Sequence, residues 1–451
     1  MHASRGRVSA YTVVLGVSIA MAACGDANEE AYSLQAGELL PYCDSQSPPI
    51  LAEDGQNEPA SQCSAEIAQV VFRYGLCTCD GYASSQPLFV DAFDSRQGPY
   101  AEERVLPGGS VGTNGGWNTT STVRIGGSFI MAPDPNMAIA GDFFVRSDLR
   151  RQGDISHDGS LHVGGSAEVS GRIIGQNLRV DGTLTLTDPS QLTTQGTQTV
   201  TGFAQGPVNV APPCDCNAAQ YLDVAAVVAR HATSNDNAAA GVDPNALLNY
   251  DSGSELELPC GRFHLAGIHG QGPLTLKIRG RVALFVAGHV NLNGPFRIEL
   301  LGDDASLDLF FAETLVTSST ADFGGQTHPD RVRTYFGGTG TVNLGGNSVF
   351  AGHIYAPRAE LVSSGSLEVF GSVFVRRVNT NNGALRIHHD LSVLTSGQEC
   401  LPTQSPTCDS CQDCGNQACI NGSCGACQSS SDCCSPLSCV NGACVENGGL
   451  I

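Results

Sequence analysis

Lysine is almost missing from this chain. Its 451 residues include 23 basic side chains, and all but Lys277 are arginine. Set against 44 acidic residues, this leaves a net charge of −21. A surface this acidic repels phosphate backbones, which argues against nucleic acid as a partner. The Arg-for-Lys bias is what a GC-rich genome produces and needs no functional reading. Aromatic residues are also scarce, at 6%, whereas glycine is plentiful at 54 residues. That balance suits many turns and short strands better than a helical core. The apolar run Tyr11 to Ala20 falls well short of the ~20 residues a membrane helix needs. No His-Glu-x-x-His and no phosphate-cradling glycine loop occurs, which removes two common routes to a catalytic centre.

What the chain does have is internal repetition. Between Leu161 and Leu186 it overlays on itself at a shift of seventeen: Leu161 on Leu178, Val163 on Val180, Gly165 on Gly182, Ala167 on Leu184 and Val169 on Leu186. Inside that period apolar pairs recur about every six residues, as Val123/Ile125 then Phe129/Met131, with Gly, Ser, Asp or Asn between them. Three short strands per repeat, separated by tight turns, describe one coil of a β-solenoid. Gly352 to Ala356 matches Gly371 to Val375, and Gly365 to Val369 matches Gly383 to Ile387. Between them, Leu274/Leu276 are read as recurring at Val290/Leu292 and then Leu307/Leu309, and Val282/Leu284 at Ile298/Leu300, shifts of 16 and 17. The expected fold is mostly β: a parallel β-helix with rungs of about 16–19 residues, a helical insertion and a small disulfide-rich C-terminal module.

The start of the chain has its own logic. Arg5 and Arg7 precede the short apolar stretch, which ends in Met21-Ala22-Ala23-Cys24. Small residues before a cysteine resemble the bacterial lipobox, which implies cleavage before Cys24, acylation of its thiol and a membrane anchor. Gly25 rather than Asp follows, and in such lipoproteins that implies the outer membrane. Residues 1–24 are thus expected to be a lipoprotein signal peptide and 25–62 an acidic tether. Residues 63–104 read as a short Cys-containing helical cap, with Ser64 capping a helix that buries Ile67, Val70, Val71 and Tyr74 and ends at Gly75. The first solenoid part is expected over 105–211 and the second over 256–397. Between them, 212–255 reads as a helical insertion, capped by Asn217 with Gln220 behind it, followed by a disordered loop.

Nineteen cysteines agree with export. Setting Cys24 aside as the lipid carrier leaves an even number, as full pairing in an oxidising compartment requires. Cys43, Cys63, Cys77, Cys79, Cys214, Cys216, Cys260 and Cys400 lie upstream. Cys408, Cys411, Cys414, Cys419, Cys424, Cys427, Cys433, Cys434, Cys439 and Cys444 crowd the tail at 398–451. Cys77-Thr78-Cys79 is awkward to bridge to itself, so each is expected to bond elsewhere, with Cys43 and Cys63 as candidates. In the tail, Ile420-Asn421-Gly422-Ser423 and Val440-Asn441-Gly442-Ala443 sit in matching places, each a hairpin turn between cysteines. No metal site is read there: Cys408 to Cys419 departs from a ferredoxin run in its last spacing and lacks the proline.

Candidates for chemistry are thin. His388 and His389 are neighbours on a late strand and point to opposite faces, so they cannot easily share an ion. Asp303, Asp304 and Asp308 read as a solvated acidic turn, and His264 and His269 flank a glycine-rich turn. No catalytic residue, metal ligand or cofactor is assigned. The short Gly-turned rungs resemble the β-helical cores of bactofilins and the β-solenoid regions of bacterial surface and pilus-associated proteins. The second tail unit resembles knottin-like and Dickkopf-type modules. Bactofilins are cytoplasmic, a setting that the export signal contradicts. The expectation is an exported, lipid-anchored outer-membrane or cell-surface protein with a non-enzymatic structural, adhesive or binding role and a protein or glycan partner. The alternative is a polysaccharide lyase or hydrolase on a β-helix scaffold, which the near-absence of lysine opposes.

Overall fold

A computed structural model of the chain describes residues 49–51, 61–63, 71–132, 137–219, 221–380, 382–394, 418–420, 422–425, 429–432, 437–440 and 443–446. Within them lies one long parallel β-solenoid whose turns are three-sided. Its order in space differs from its order in sequence. One inward-facing column of paired residues runs Phe263, Leu284, Leu309, Thr334, Ile354, Val373, Leu76, Val111, Phe129, Leu149, Ala167, Leu184, Phe203. At ~4.8 Å per step this column makes a rod of about 60 Å. The chain enters at its middle, at Leu76, and winds outward to Gln205. It then returns along the outside and winds in again from Ser254 to Asp390, where it meets its own beginning.

The meeting place is a single shared turn, the seam. Strand Leu385–Asp390 supplies one side of it and strand Leu76–Ser84 supplies the other two. Leu385–Asp390 pairs with Leu367–Thr380 on one flank and Leu88–Phe93 on the other. Leu76–Ser84 likewise pairs with Leu367–Thr380 and, beyond, with Val111–Thr113 and Gly116–Thr119. Residues 76–93 are therefore central rungs and not part of a helical cap. Leu76, Thr78, Tyr82, Leu88 and Val90 are buried at alternating positions, a strand period that the intervening cysteines and Gly81 conceal. The two solenoid parts are one unit, joined through this turn.

Three of the expected repeats hold to the residue. Leu161 pairs with Leu178 and Ala167 with Leu184, Gly352 pairs with Gly371, and Leu367 pairs with Leu385. The Gly352/Gly371 pair marks a corner where both backbones have positive φ and a Cβ on Gly371 would run into the Gly352 carbonyl. The 16-residue shifts read between Leu274 and Leu309 do not hold. Leu274 pairs with Phe296, Val282 with Leu307 and Val290 with Leu315. Val282/Leu284 and Val290/Leu292 are different sides of one turn, and longer corners stretch the true period there.

The returning segment, residues 206–253, is a strap. Its helix α1 (Val224–His231) is capped by Asp223, whose carboxylate accepts from the Ala226 amide, and not by Asn217. Val224, Val227 and Val228 join other strap residues in one buried cluster with an outward column of rings, Phe285, Phe310, Tyr335, Tyr355 and Phe374, with centroids 4.7–6.0 Å apart. Residues 232–253, expected to be disordered, form a cap over the Phe263 end. They include α2 (Asn237–Ala240) and place Val242, Leu247 and Tyr250 against the core.

Cys24, Cys43, Cys400, Cys408, Cys411, Cys414, Cys427, Cys433 and Cys434 lie outside the described residues, as do Ser64, Ile67, Val70 and Gln220. Within the expected tether, Pro49–Leu51 pairs antiparallel with Ser61–Cys63. In the tail, Ala418–Ile420 pairs with Ser423–Gly425 and Leu437–Val440 with Ala443–Glu446, so positions 419 and 424, and 439 and 444, are backbone register partners in two matching hairpins.

The stacked core sets a stability prediction. Val145 is fully buried between Ile125 and Val163. Val145→Asp should cost at least about 3 kcal/mol, because it places an unpaired carboxylate in an apolar column. Equilibrium denaturation followed by circular dichroism measures this, and a change under 1 kcal/mol would refute the stacking.

Candidate functional site

Three of the solenoid's corners carry inserted loops, and all three lie along one edge. The first is at 302–305, where four residues stand opposite the single Gly280, three more than the pairing of the two long strands needs. The second is 324–331, which ends in a short 3-10 turn at Pro329–Arg331. The third is 94–110, with 3-10 turns at Ser95–Gln97 and Glu102–Arg104. The turns between them have tight corners, so the loops stand proud as walls. Loops raised on a rigid scaffold are where binding chemistry concentrates.

The first two loops enclose a groove of about 570 Å³. Arg297, Glu299 and Asp322 line its floor, and Asp303, Thr327, His328 and Arg331 its rim. Arg297 and Asp322 are partners on adjacent turns. The Arg297 guanidinium lies 3.4 Å from Glu299 and 3.5 Å from Asp322, loosely shared between them. Partial burial raises the Asp322 carboxyl above its usual range, with Glu299 adding to the rise and Arg297 opposing it. Of the expected acidic turn, Asp303 reaches this groove and Asp304 stays exposed. Asp308 is elsewhere: it is buried on the next side and held by Arg333 at 2.6 and 3.1 Å.

The third loop meets the seam. The His388 ring is held between Asp91 at 2.7 Å and Glu368 at 3.2 Å, with Tyr100 over its face at 3.8 Å between centroids. The Tyr100 hydroxyl donates to the other Asp91 oxygen at 2.9 Å. Asp390 accepts from the Ser95 and Ser392 amides, and burial raises its carboxyl above the usual range despite those donors. Ser95 also reaches Asp330 of the second loop at 3.4 Å. His389 points away, as the strand alternation requires. It is buried, its Nε2 faces the Phe72 carbonyl at 3.0 Å, and burial pulls it down to about 4. His264 is buried under the end cap and His269 lies a turn corner away, so they do not converge. Among the described residues no group of three His, Cys, Asp or Glu is arranged to hold a metal.

Gly108-Gly109-Ser110-Val111-Gly112 has the letters of a nucleophile elbow. Its context does not fit, because Ser110 precedes a strand and its hydroxyl accepts from the Ser128 amide at 3.0 Å.

The cysteine pairing differs from the expected one. Cys77 bonds Cys214 and Cys79 bonds Cys216, each across 137 residues. Both bridges tie the strap to the seam strand. Gly112, next in the column after Cys77, leaves room for Pro213, and a Cβ there would lie 3.0 Å from that ring. Cys260 and Cys419 are also disulfide-bonded. Thus Cys-x-Cys faces Cys-x-Cys along two parallel segments, a register that neither spacing alone reveals.

Sequence reasoning singled out His388 but missed Asp91, Tyr100, Glu368 and the groove residues. The usable signal was spacing: 94–110 and 324–331 are excess length within otherwise regular repeats.

A protein-family model described as a domain of unknown function (DUF7305) matches residues 211–395, which run from the strap through the end cap to the seam. No curated protein and no solved structure matches the chain.

Acid should weaken the fold in a defined window. His231 and His389 are held neutral to about 4 by burial, whereas an unfolded histidine titrates near 6.5. Between those values the unfolded chain binds more protons, so their contribution is complete above pH ~6.5 and is lost as the pH falls towards 4. Asp390 acts oppositely, since its raised pKa favours the folded state on acidification. The melting temperature should therefore drop from pH 7 to pH 4.5, and His389→Gln should flatten that drop. An unchanged slope in the variant would remove His389 as a cause.

Proposed function

We propose that this chain is an exported, lipid-anchored cell-envelope protein whose solenoid is a rigid structural and binding body, non-enzymatic, with a protein or glycan partner. The observation that carries this reading is the pair of strap bridges, Cys77–Cys214 and Cys79–Cys216. Structural disulfides form and persist in oxidising compartments. They agree with the signal-like start and the small residues before Cys24. Lipid attachment at Cys24 and placement at the outer membrane follow from that motif. The corner groove supplies the binding surface, since guanidinium and carboxylate groups set on a fixed floor suit the hydroxyls of a glycan or a polar peptide.

A second reading, a polysaccharide lyase or hydrolase, draws on one feature. Arg297, Glu299 and Asp322 stand together on adjacent turns, and Asp322 is biased towards its protonated form. Purified protein incubated with acidic and neutral polysaccharides separates the two readings. Bound glycan released unchanged supports the binding role. New reducing ends or unsaturated products that vanish in Asp322→Asn support the enzyme.

Fatty-acid labelling in cells should tag the protein, and Cys24→Ser should abolish the label and move it to the soluble fraction. An unlabelled, freely soluble wild type would overturn the anchor. The bridges also make a graded prediction. Closing a loop of this length contributes at most about 5 kcal/mol in the chain-entropy account, and the second bridge then closes only a very short loop. Losing either bridge should cost under about 1.5 kcal/mol and losing both several times more. Denaturation of Cys77→Ser/Cys214→Ser, Cys79→Ser/Cys216→Ser and the quadruple variant measures this.

A further inference from the structure

The two ends of the solenoid are finished differently. At the first end, Phe263 opens the core column and is 0% exposed. The strap caps it there and also satisfies the edge strand. The Asp236 and Asn237 side chains accept from the Arg262 and His264 amides at 2.7 and 2.9 Å, and the Asn237 amide donates to the His264 carbonyl at 2.7 Å. At the second end, Phe203 closes the same column and is 56% exposed. The strands of this last turn, Leu192–Thr194 and Gln198–Gln205, pair only with the turn beneath them among the described residues. Ile174, the other large apolar side chain left most exposed, sits one turn in, beneath Thr193.

A bare solenoid end is ordinarily protected by charge, proline, a bulge or a covering segment. Charge, at least, is absent. Residues 189–214 contain no Asp, Glu, Lys, Arg or His, in a chain whose net charge is −21. Elsewhere two copies of this protein would repel each other, but here they would not. The last turn is instead rich in Thr and Gln, whose side chains carry both donors and acceptors and so can satisfy their own kind across a two-fold axis. Leu192, Val200 and Phe203 supply apolar contact at its centre.

We propose that this end docks on the same end of a second copy, edge to edge, and that the capped end limits the assembly to a dimer. The interface has on both sides a last turn whose outer edge pairs with none of the described residues, the exposed core column and the uncharged rim. The occupant is a second copy because a like face meets these groups without electrostatic cost, whereas a charged partner would find nothing here to pair with.

The test uses the full chain with Cys24→Ser, so that any lipid is removed and solution mass can be read by analytical ultracentrifugation from 1 to 100 μM. The expected result is twice the mass of one chain, with a longest dimension by X-ray scattering well beyond that of a single rod. Phe203→Lys and Thr199→Lys place like charges at the interface. Both sites are exposed, so each variant should be monomeric with an unchanged circular dichroism spectrum and melting temperature. A wild type that stays monomeric to 100 μM overturns the proposal. If amide exchange at 192–205 is also slow in that monomer, the occupant is a segment of the same chain. Open-ended filaments, or a dimer that both charged variants retain, likewise overturn it.

Discussion

Every part of this structure depends on the shared turn at the middle of the solenoid. A parallel β-solenoid is held by backbone hydrogen bonds from each turn to the next, and a turn left without a neighbour exposes a full ring of donors and acceptors. Here the chain enters at Leu76 with no turn of its own beneath it. The strand that ends in Thr380 arrives some three hundred residues later to lie alongside, with Leu385–Asp390 completing the ring. Neither half is finished without the other. Solenoids usually propagate through neighbour contacts and fold with little long-range cost. This one requires closure between its first and last strands, and the two strap bridges fix the returning segment at that same turn through Cys77 and Cys79.

The strap follows from this topology. A chain that starts in the middle and winds to one end must travel back to reach the other. That return path crosses a column which would otherwise be outward-facing and apolar: Phe285, Phe310, Tyr335, Tyr355 and Phe374. Those rings are unusual for a solvent face of a strand, and they share one buried cluster with the strap residues Val210, Cys214, Leu222, Val224, Val227 and Val228, which accounts for them. The Leu222 amide donates to the Tyr355 hydroxyl at 3.1 Å and gives the crossing a polar fixed point. Two residues before Phe310 and Tyr335 on the same strands, Asp308 and Arg333 sit nearly out of water as a bidentate pair. Such a pair fixes register more than it adds stability, since removing one partner leaves a buried charge without its counterpart.

The rungs were legible in the sequence wherever the turns are short. Between Leu161 and Leu186, and again between Gly352 and Ile387, the corners are short and differ by a residue or two, so inward residues recur 17 to 19 residues apart and the pairing can be read directly. Legibility failed between Leu274 and Leu344, where corners of unequal length destroy the period and two sides of one turn imitate two successive turns. It failed also at Leu76 to Phe93, whose partners are the strands ending at Thr380 and Asp390. No local pattern points to a neighbour that far away, and a circular order leaves no mark on periodicity. The cysteine pairing was hidden for the same reason, because Cys77 and Cys214 come together only once the strap is known.

The seam cluster of the candidate site was illegible because it is a product of the permuted order, whereas the groove was hidden by the unequal corners of the incoming half. Asp91 and Tyr100 belong to the outgoing half, and Glu368, His388 and Asp330 to the incoming half. They share one edge only because the halves meet there. The same meeting places residue 71 and residue 394, where the described solenoid segment begins and ends, on one turn: the Phe72 carbonyl faces His389, and Val373 donates to the Gly75 carbonyl. Flanking segments therefore depart from the waist of the rod and not from its tips. An anchor at Cys24 would hold the molecule at mid-length, beside the looped edge, and leave both ends of the rod clear of the point of attachment. A solenoid threaded from end to end would put its anchor at one tip and its loops at varying heights above it. Entering in the middle sets the point on the rod from which the flanking segments depart, regardless of how many turns either half contains.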